Sequence, residues 1–449
     1  MKTPIADFVR NYAATDNVRF HMPGHKGVGF LGCEALDITE ICGADVLYSP
    51  DGIIAQSENN ASALFGSYHS FYSTEGSTLA IKAMLHMATS GVRGRRPLVL
   101  AARNVHKAFV YAAALLDLDV EWILGEERSH LCACNINADG LLAAIDACPI
   151  QPDAVYITSP DYLGNVADVA ALANACHSKG IPLLVDNAHG AYLAFTEPSL
   201  HPLALGADVC CDSAHKTLPV LTGGAYLHVS QSAPKHFKNH RLTRSAMSLF
   251  ASTSPSYLIL QSLDLCNRYL SEGYCEGLSS HVRLVSKKKT ALSSAGFKVM
   301  PSEPLKLVID CNESGYTGCE IADILRRQRI ECEFSDDQYL VLMTTPENPL
   351  SDLERLTDAL FTIKKRKPIT SETSNRLFSL PTRCMTVRDA VFSPKEIIST
   401  EEAEGRICAS PSVSCPPAVP ITVSGEMIGK DQIELFKIYG IDSVEVVLT

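Results

Sequence analysis

No apolar run in this 449-residue chain is long enough to cross a bilayer; the best candidate, residues 108–124, is broken by Asp117, Asp119 and Glu121. Basic residues are in deficit, with 39 Lys and Arg against 50 Asp and Glu, and the net charge of −11 argues against nucleic acid or an anionic membrane as partner. The start, Met1 to Asp16, is polar and mixed in charge and lacks the form of a signal peptide, so a cytoplasmic protein is expected. There is no C-x-x-C pair and no Cys/His spacing of a zinc site, and no metal is expected. The 16 cysteines are scattered; Cys132-x-Cys134 and the vicinal Cys210-Cys211 read as buried reduced thiols rather than redox pairs. Internal repeats and low-complexity tracts are also missing. What remains is an ordinary globular composition, 46% apolar and 20% charged, long enough for two or three domains.

Between about residues 95 and 230 short apolar runs alternate with helical patterns. Strands are expected at 97–101, 120–124, 154–157, 181–185, 207–211 and 225–229, with helices at 105–116, 141–147 and 166–179. Nearly continuous apolar strands separated by helices predict an α/β fold with a mostly parallel sheet covered on both faces. Ligands of such sheets collect beyond the carboxyl ends of the strands. Asn104 to His106, Ser159-Pro160, Asp186 and Ser213 to Lys216 all follow strands there. A helical region is expected over 255–297. Beyond it come a smaller α/β segment (strands 305–309 and 339–343, helices 319–327 and 353–364), a polar linker from Lys364 to Asn375, and a Pro-rich final segment with a helix near 432–439.

Lys216 lies in Asp212-Ser213-Ala214-His215-Lys216-Thr217, and thirty residues earlier Leu183-Leu184-Val185 ends in Asp186. A lysine for a Schiff base, a carboxylate for a ring nitrogen and hydroxyls for a phosphate are the groups pyridoxal phosphate needs. A lone surface lysine and a solvated strand-end carboxylate are the plainer readings; the company of Ser213 and His215 and the spacing to Asp186 favour the cofactor. His189, in Asp186-Asn187-Ala188-His189-Gly190, either supports the ring, orients Asp186 or lines the wall. Ser77 and Thr78, in Ser73-Thr74-Glu75-Gly76-Ser77-Thr78, open a helical run and suit an anion cradle or a simple cap. His106 follows a strand and could stack on a ring or cap a helix. The loop Phe20-His21-Met22-Pro23-Gly24-His25-Lys26-Gly27 suits close approach to a ligand or partner, or a turn.

Together these motifs resemble the fold type I, pyridoxal-phosphate-dependent ornithine/lysine/arginine decarboxylases almost end to end. The loop from Phe20 to Gly27 and the segment Ser252-Thr253-Ser254-Pro255-Ser256-Tyr257 carry the resemblance most specifically. Ser213 to Lys216 and Asp186 to Gly190 match the cofactor motifs, and Glu402 to Ile407, Pro416 to Pro420 and Gly425-Glu426 match the tail. The resemblance implies an aminotransferase-like large domain with a mostly parallel seven-stranded sheet, a small α/β domain and a C-terminal α+β domain. The corresponding divisions are 1–50 (a segment at the dimer interface), 51–297, 298–367 and 376–449, in a short form without the N-terminal wing of longer members. By the same resemblance Lys216 binds the cofactor aldehyde, Asp186 pairs with the ring nitrogen, His106 stacks on the ring, and Ser77, Thr78, Ser213 and His215 hold the phosphate. His189 lies beside the ring, Ser254 reaches the partner's cofactor across a homodimer, and Glu426 and His25 are candidates for the substrate. Glu75 stands where an Asn is usual, and Cys415, Ala418 and Ser424 replace an aromatic, a Gly and a Pro. These departures leave substrate identity open.

The expected reaction is α-decarboxylation of arginine, lysine or ornithine to the amine, placing the protein in polyamine biosynthesis. An aminotransferase on the same fold and a cofactor-binding paralogue without turnover are the competing readings, because fold alone does not choose the reaction.

Overall fold

The computed structural model describes residues 1–125, 130–369, 380–412 and 418–448. Residues 370–375 of the expected linker, Cys415, Pro416 and Pro417 lie outside the described residues. Strands β1 (His69–Ser73), β2 (Leu98–Ala102), β3 (Asp119–Ile123), β4 (Ala154–Thr158), β5 (Leu183–Asp186), β6 (Val209–Asp212) and β7 (Ala225–Val229) form a seven-stranded sheet in the order β1-β7-β6-β5-β4-β2-β3. β2 pairs with β3 and β5 with β6 in parallel, whereas β7 runs antiparallel to both β6 and β1. Every residue of β2, β5, β6 and β7 is buried, as sheets covered on both faces require. The α/β sheet is the one expected from the strand pattern, and its seven strands are the number that the resemblance implies.

The chain divides into two compact units: Met1–Val92 with Asp153–Tyr156 and Val169–Gly277, and Arg93–Pro152 with Ile157–Asp168 and Leu278–Thr449. The first holds helices α1 (Pro4–Ala14), α2 (Ile53–Phe65) and α3 (Gly76–Thr89), the first two fixed at their starts by carboxylates. The Asp264 carboxylate accepts the N–H groups of Ile5 and Ala6 at 2.9 and 3.0 Å, filling donors that the first turn of α1 leaves open. Asp45 does the same for α2 through Gly52 and Ile54. The helical stretch expected over 255–297 is two helices, Tyr257–Ser271 and Tyr274–Ser294, because Gly273 takes a φ of +83° between them.

β1 has no counterpart among the expected strands. Its sequence, His-Ser-Phe-Tyr-Ser, carries no apolar run, yet all five residues are buried. The polar groups are tolerated because they are paired: Ser70 Oγ with His228 Nδ1 at 2.7 Å, and His69 Nε2 with Glu58 Oε2 at 3.3 Å.

In the second unit, strands β8 (Lys298–Met300), β9 (Lys306–Asp310), β10 (Phe334–Ser335) and β11 (Tyr339–Met343) form an antiparallel sheet in the order β10-β11-β9-β8. Helices Gly318–Arg327 and Leu350–Phe361 cover it, and Leu307, Ile309, Ile321, Leu325, Leu340 and Leu360 share its core. Thr317 and Glu320 close a capping box at the start of the first of these helices. A separate core around Ile428, Phe436 and Val446 joins β12 (Lys395–Ser399), β13 (Ser443–Val447) and the helix Lys430–Ile438. No helix among the described residues is long and apolar enough to cross a membrane.

Candidate active site

β5 and β6 are parallel, and β1 shares their direction because both β1 and β6 oppose β7. The carboxyl ends of β1, β5 and β6 therefore lie on one edge, where Ser77, Asp186 and Lys216 follow them. Lys216 sits in a single helical turn, Ala214–Thr217, opened directly by β6. Its Nζ is 3.1 Å from His189 Nε2, in the turn that follows Asp186. That turn is tight: a Cβ on Gly190 would sit 2.0 Å from Asn187 Oδ1, so a larger residue there would displace the Asn187 side chain.

Asp186 is buried, and burial pushes its carboxyl up while the nearby Lys216 charge pulls it down. Its Oδ1 accepts the Ala188 N–H at 3.2 Å and its Oδ2 accepts the Tyr156 hydroxyl at 3.1 Å. Ser213 donates to Ser77 Oγ at 2.8 Å, bringing together hydroxyls from the two loops expected to meet at a phosphate. Ser77 and Thr78 occupy the first turn of α3, a fourteen-residue helix whose N-terminal end favours an anion. The cap position is Glu75, without a side-chain cap bond; the carboxylate instead accepts the Ser252 N–H at 2.7 Å. Glu75 thus ties the segment carrying Ser254 to the start of α3. His215 donates or accepts through Nδ1 at Gly224 O, 3.0 Å away; a carbonyl can only accept, so Nδ1 carries the proton. Burial pushes this imidazole down, toward its neutral form.

Asp212, the last residue of β6, lies beneath this turn. Its Oδ2 is 3.0 Å from His201 Nε2 and 3.2 Å from His228 Nε2, and its Oδ1 accepts from Asn187 Nδ2 at 2.7 Å. Burial opposes its charge, but the two imidazoles outweigh burial and hold the carboxyl below the usual range. His201, Cys210 and Asp212 also present ligand atoms within 4.8 Å of one another, but the carboxylate is already committed to the two imidazoles.

The other predicted residues are held within their own units. His106 belongs to the second unit, where its Nδ1 accepts the Ala108 N–H at 3.1 Å and caps the helix α4 (Lys107–Leu116). Glu426 is in that unit too, 3.1 Å from Arg103 Nη2 and accepting the Val423 N–H at 2.7 Å, both through Oε2. Burial pushes its carboxyl up and Arg103 opposes this. His25, in the first unit, is 3.3 Å from Asp37 and accepts the Gly27 N–H at 3.0 Å within its own loop. The sequence reading missed Tyr156, Cys211, His201 and His228. Each is an ordinary strand or loop residue by its neighbours, and only strand order and register bring them to Asp186 and Asp212.

An amine, a buried carboxylate and paired hydroxyls beside a helix start can together hold an aldehyde cofactor with a ring nitrogen and an anionic group. Such a set of groups at the carboxyl edge of this sheet suits the chemistry of an aldehyde cofactor with amino acids. Residues 3–298 match the family "Orn/Lys/Arg decarboxylase, major domain", and the chain belongs to that family. It is 31% identical to the arginine decarboxylase of Bacillus subtilis (strain 168), over 97% of this chain and 93% of that one. It is 30% identical to the arginine decarboxylase of Halalkalibacterium halodurans, over 95% of this chain and 91% of that one. Its fold matches the crystal structure of the Francisella novicida lysine decarboxylase LdcF with a TM-score of 0.83 at 16% identity, covering 99% of this chain and 81% of that one.

Proposed function

We propose that this protein is a pyridoxal 5'-phosphate-dependent decarboxylase of basic amino acids, with arginine as its preferred substrate ahead of lysine and ornithine. Family membership supports the reaction class, and full-length relatives bearing the name arginine decarboxylase support arginine. The observation that carries the cofactor reading is the meeting of the Lys216 turn, the Asp186 turn and the Ser77–Ser213 hydroxyl pair at one sheet edge.

When bound, the cofactor supplies an aldehyde for an amine and a protonated ring that takes up the electron pair released as CO₂ leaves. Lys216 is the amine for that aldehyde, and His189 is placed to hold a proton of Lys216 Nζ. Asp186, buried and ringed by donors, is the partner for a ring nitrogen. Ser77, Thr78, Ser213 and the α3 N-terminus are the phosphate cradle. His215 has its Nδ1 proton on Gly224 O, so a phosphate at Nε2 would draw a second proton onto the ring. His106 on the ring face, Ser254 in trans and His25 near the substrate rest on the family motifs. Glu426 as the partner of the substrate's cationic end likewise rests on the family motifs.

A homodimer is part of this reading. Phe20, Phe30 and Leu31 are 94%, 87% and 87% exposed in the N-terminal loop, an apolar face of the kind a second copy covers. The separate cores of the two smaller sheets support the divisions 298–367 and 376–449; the divisions 1–50 and 51–297 rest on the family resemblance. A cytoplasmic role in polyamine formation belongs to this reading: the proposed product is an amine, and free cysteines, buried and exposed alike, suit a reducing compartment.

The test is product analysis after incubating the cofactor-loaded protein with each of the three amino acids. Equal amounts of CO₂ and amine are expected, fastest with arginine. Accumulation of the pyridoxamine form without CO₂ would identify an aminotransferase, and bound cofactor without any product would identify a non-catalytic paralogue.

A further inference from the structure

Two side chains around Asp186 have no part in the scheme above. Tyr156, in β4, donates its hydroxyl to Asp186 Oδ2 at 3.1 Å. The Cys211 thiol, in β6 and paired in register with Asp186 in β5, lies 3.5 Å from Oδ1. Tyr156 and Cys211 are fully buried. Burial, with Asp186 beside them, pushes both the phenol and the thiol far up, so each acts only as a donor.

The proton between a pyridine nitrogen and a carboxylate resides on the more basic of the two. Burial makes Asp186 more basic, which draws that proton off the ring. Each donor to the carboxylate opposes this by stabilising its anion. The charged or titratable groups that act with Asp186 are Lys216, Tyr156, Cys211 and Cys210. Lys216 is used in binding the aldehyde, so its charge is not a constant support. The Tyr156 hydroxyl, the Cys211 thiol and the Ala188 N–H persist.

We propose that Tyr156, with Cys211 as a weaker partner, is a positioning residue that keeps Asp186 ionised, so that the ring nitrogen of the cofactor keeps its proton. This rests on the reading of Lys216 and Asp186 as a pyridoxal-phosphate site. Tyr156→Phe removes one oxygen from a buried site and leaves the ring in place, and Cys211→Ala removes the thiol.

The experiment is ¹⁵N NMR of the full-length holoenzyme loaded with pyridoxal phosphate labelled at the ring nitrogen, read beside kcat and KM. In the wild type the ring nitrogen should give the protonated shift. In Tyr156→Phe it should move toward the free-base shift, with kcat about tenfold lower and KM changed less than about twofold. Cys211→Ala should move in the same direction by less, and decides the matter if Tyr156→Phe does not fold. A ring nitrogen as protonated in both variants as in the wild type would overturn the assignment. A wild-type protein that takes up no labelled cofactor would overturn the site reading beneath it, which is a separate and recognisable outcome.

Discussion

Asp186 and Asp212 end adjacent strands, and both are buried carboxylates, yet their surroundings push them in opposite directions. Asp212 has two imidazoles and an amide on it and is held as the anion. Asp186 has a phenol, a thiol, one N–H and the nearby Lys216 charge, which favour its anion and offset part of the upward push of burial. Asp212→Ala leaves two buried imidazoles without their acceptor and should lower stability by about 3 kcal/mol in urea unfolding. Asp186→Asn keeps the shape but not the charge, and should lower kcat by about a hundredfold or more while the protein still unfolds at a near-wild-type urea midpoint. Lys216 and Asp186 were legible in the sequence because each follows an apolar run and carries a distinctive side chain. Tyr156, His201 and His228 were not, because their partners are 30, 11 and 16 positions away and meet them only through strand order.

At the scale of elements, the apolar strands were legible and the capped or polar elements were not. β5, β6 and β7 are short, mainly apolar runs of the kind that burial on both faces demands, and they fall within two residues of their expected limits. β1, α1 and α2 owe their places to long-range carboxylates and paired polar groups, which leave no periodic trace. The α1 cap gives a pH prediction. Burial pushes the Asp264 carboxyl up to about 6 from an ordinary value of 3.8, against the opposing bonds from Ser57, Ala6 and Ile5. A carboxyl raised in the folded state favours folding while protonated. Its contribution is fully present below about pH 4 and is lost as pH rises through about 6. Asp264→Asn removes this dependence. The wild type should therefore gain about 1–2 kcal/mol relative to Asp264→Asn between pH 7 and pH 4.5, read as the difference in urea midpoints.

At the scale of the whole molecule, the N-terminal loop carries the homodimer proposal. The turn around His25 is held by its own N–H groups and by Asp37, which leaves Phe20, Phe30 and Leu31 facing outward. The dimer reading predicts that Leu31→Asp with Phe30→Asp shifts the protein from two chains to one in sedimentation, and that activity falls with the dimer if Ser254 acts in trans. The family was legible from the motifs at both ends of the chain. The exposed apolar face was not, since Phe and Leu in a short polar loop look the same in a sequence whether they point inward or outward. The central claim is that Lys216, as the amine that binds the cofactor aldehyde, serves the decarboxylation of a basic amino acid. Release of labelled CO₂ from carboxyl-labelled arginine, by cofactor-loaded wild type beside Lys216→Ala, tests it most directly. The account predicts CO₂ matched one for one by agmatine from the wild type, and a rate lower by about a thousandfold or more in Lys216→Ala. A wild type that binds the cofactor yet releases no CO₂ from arginine, lysine or ornithine, or a Lys216→Ala variant that keeps the wild-type rate, would contradict it.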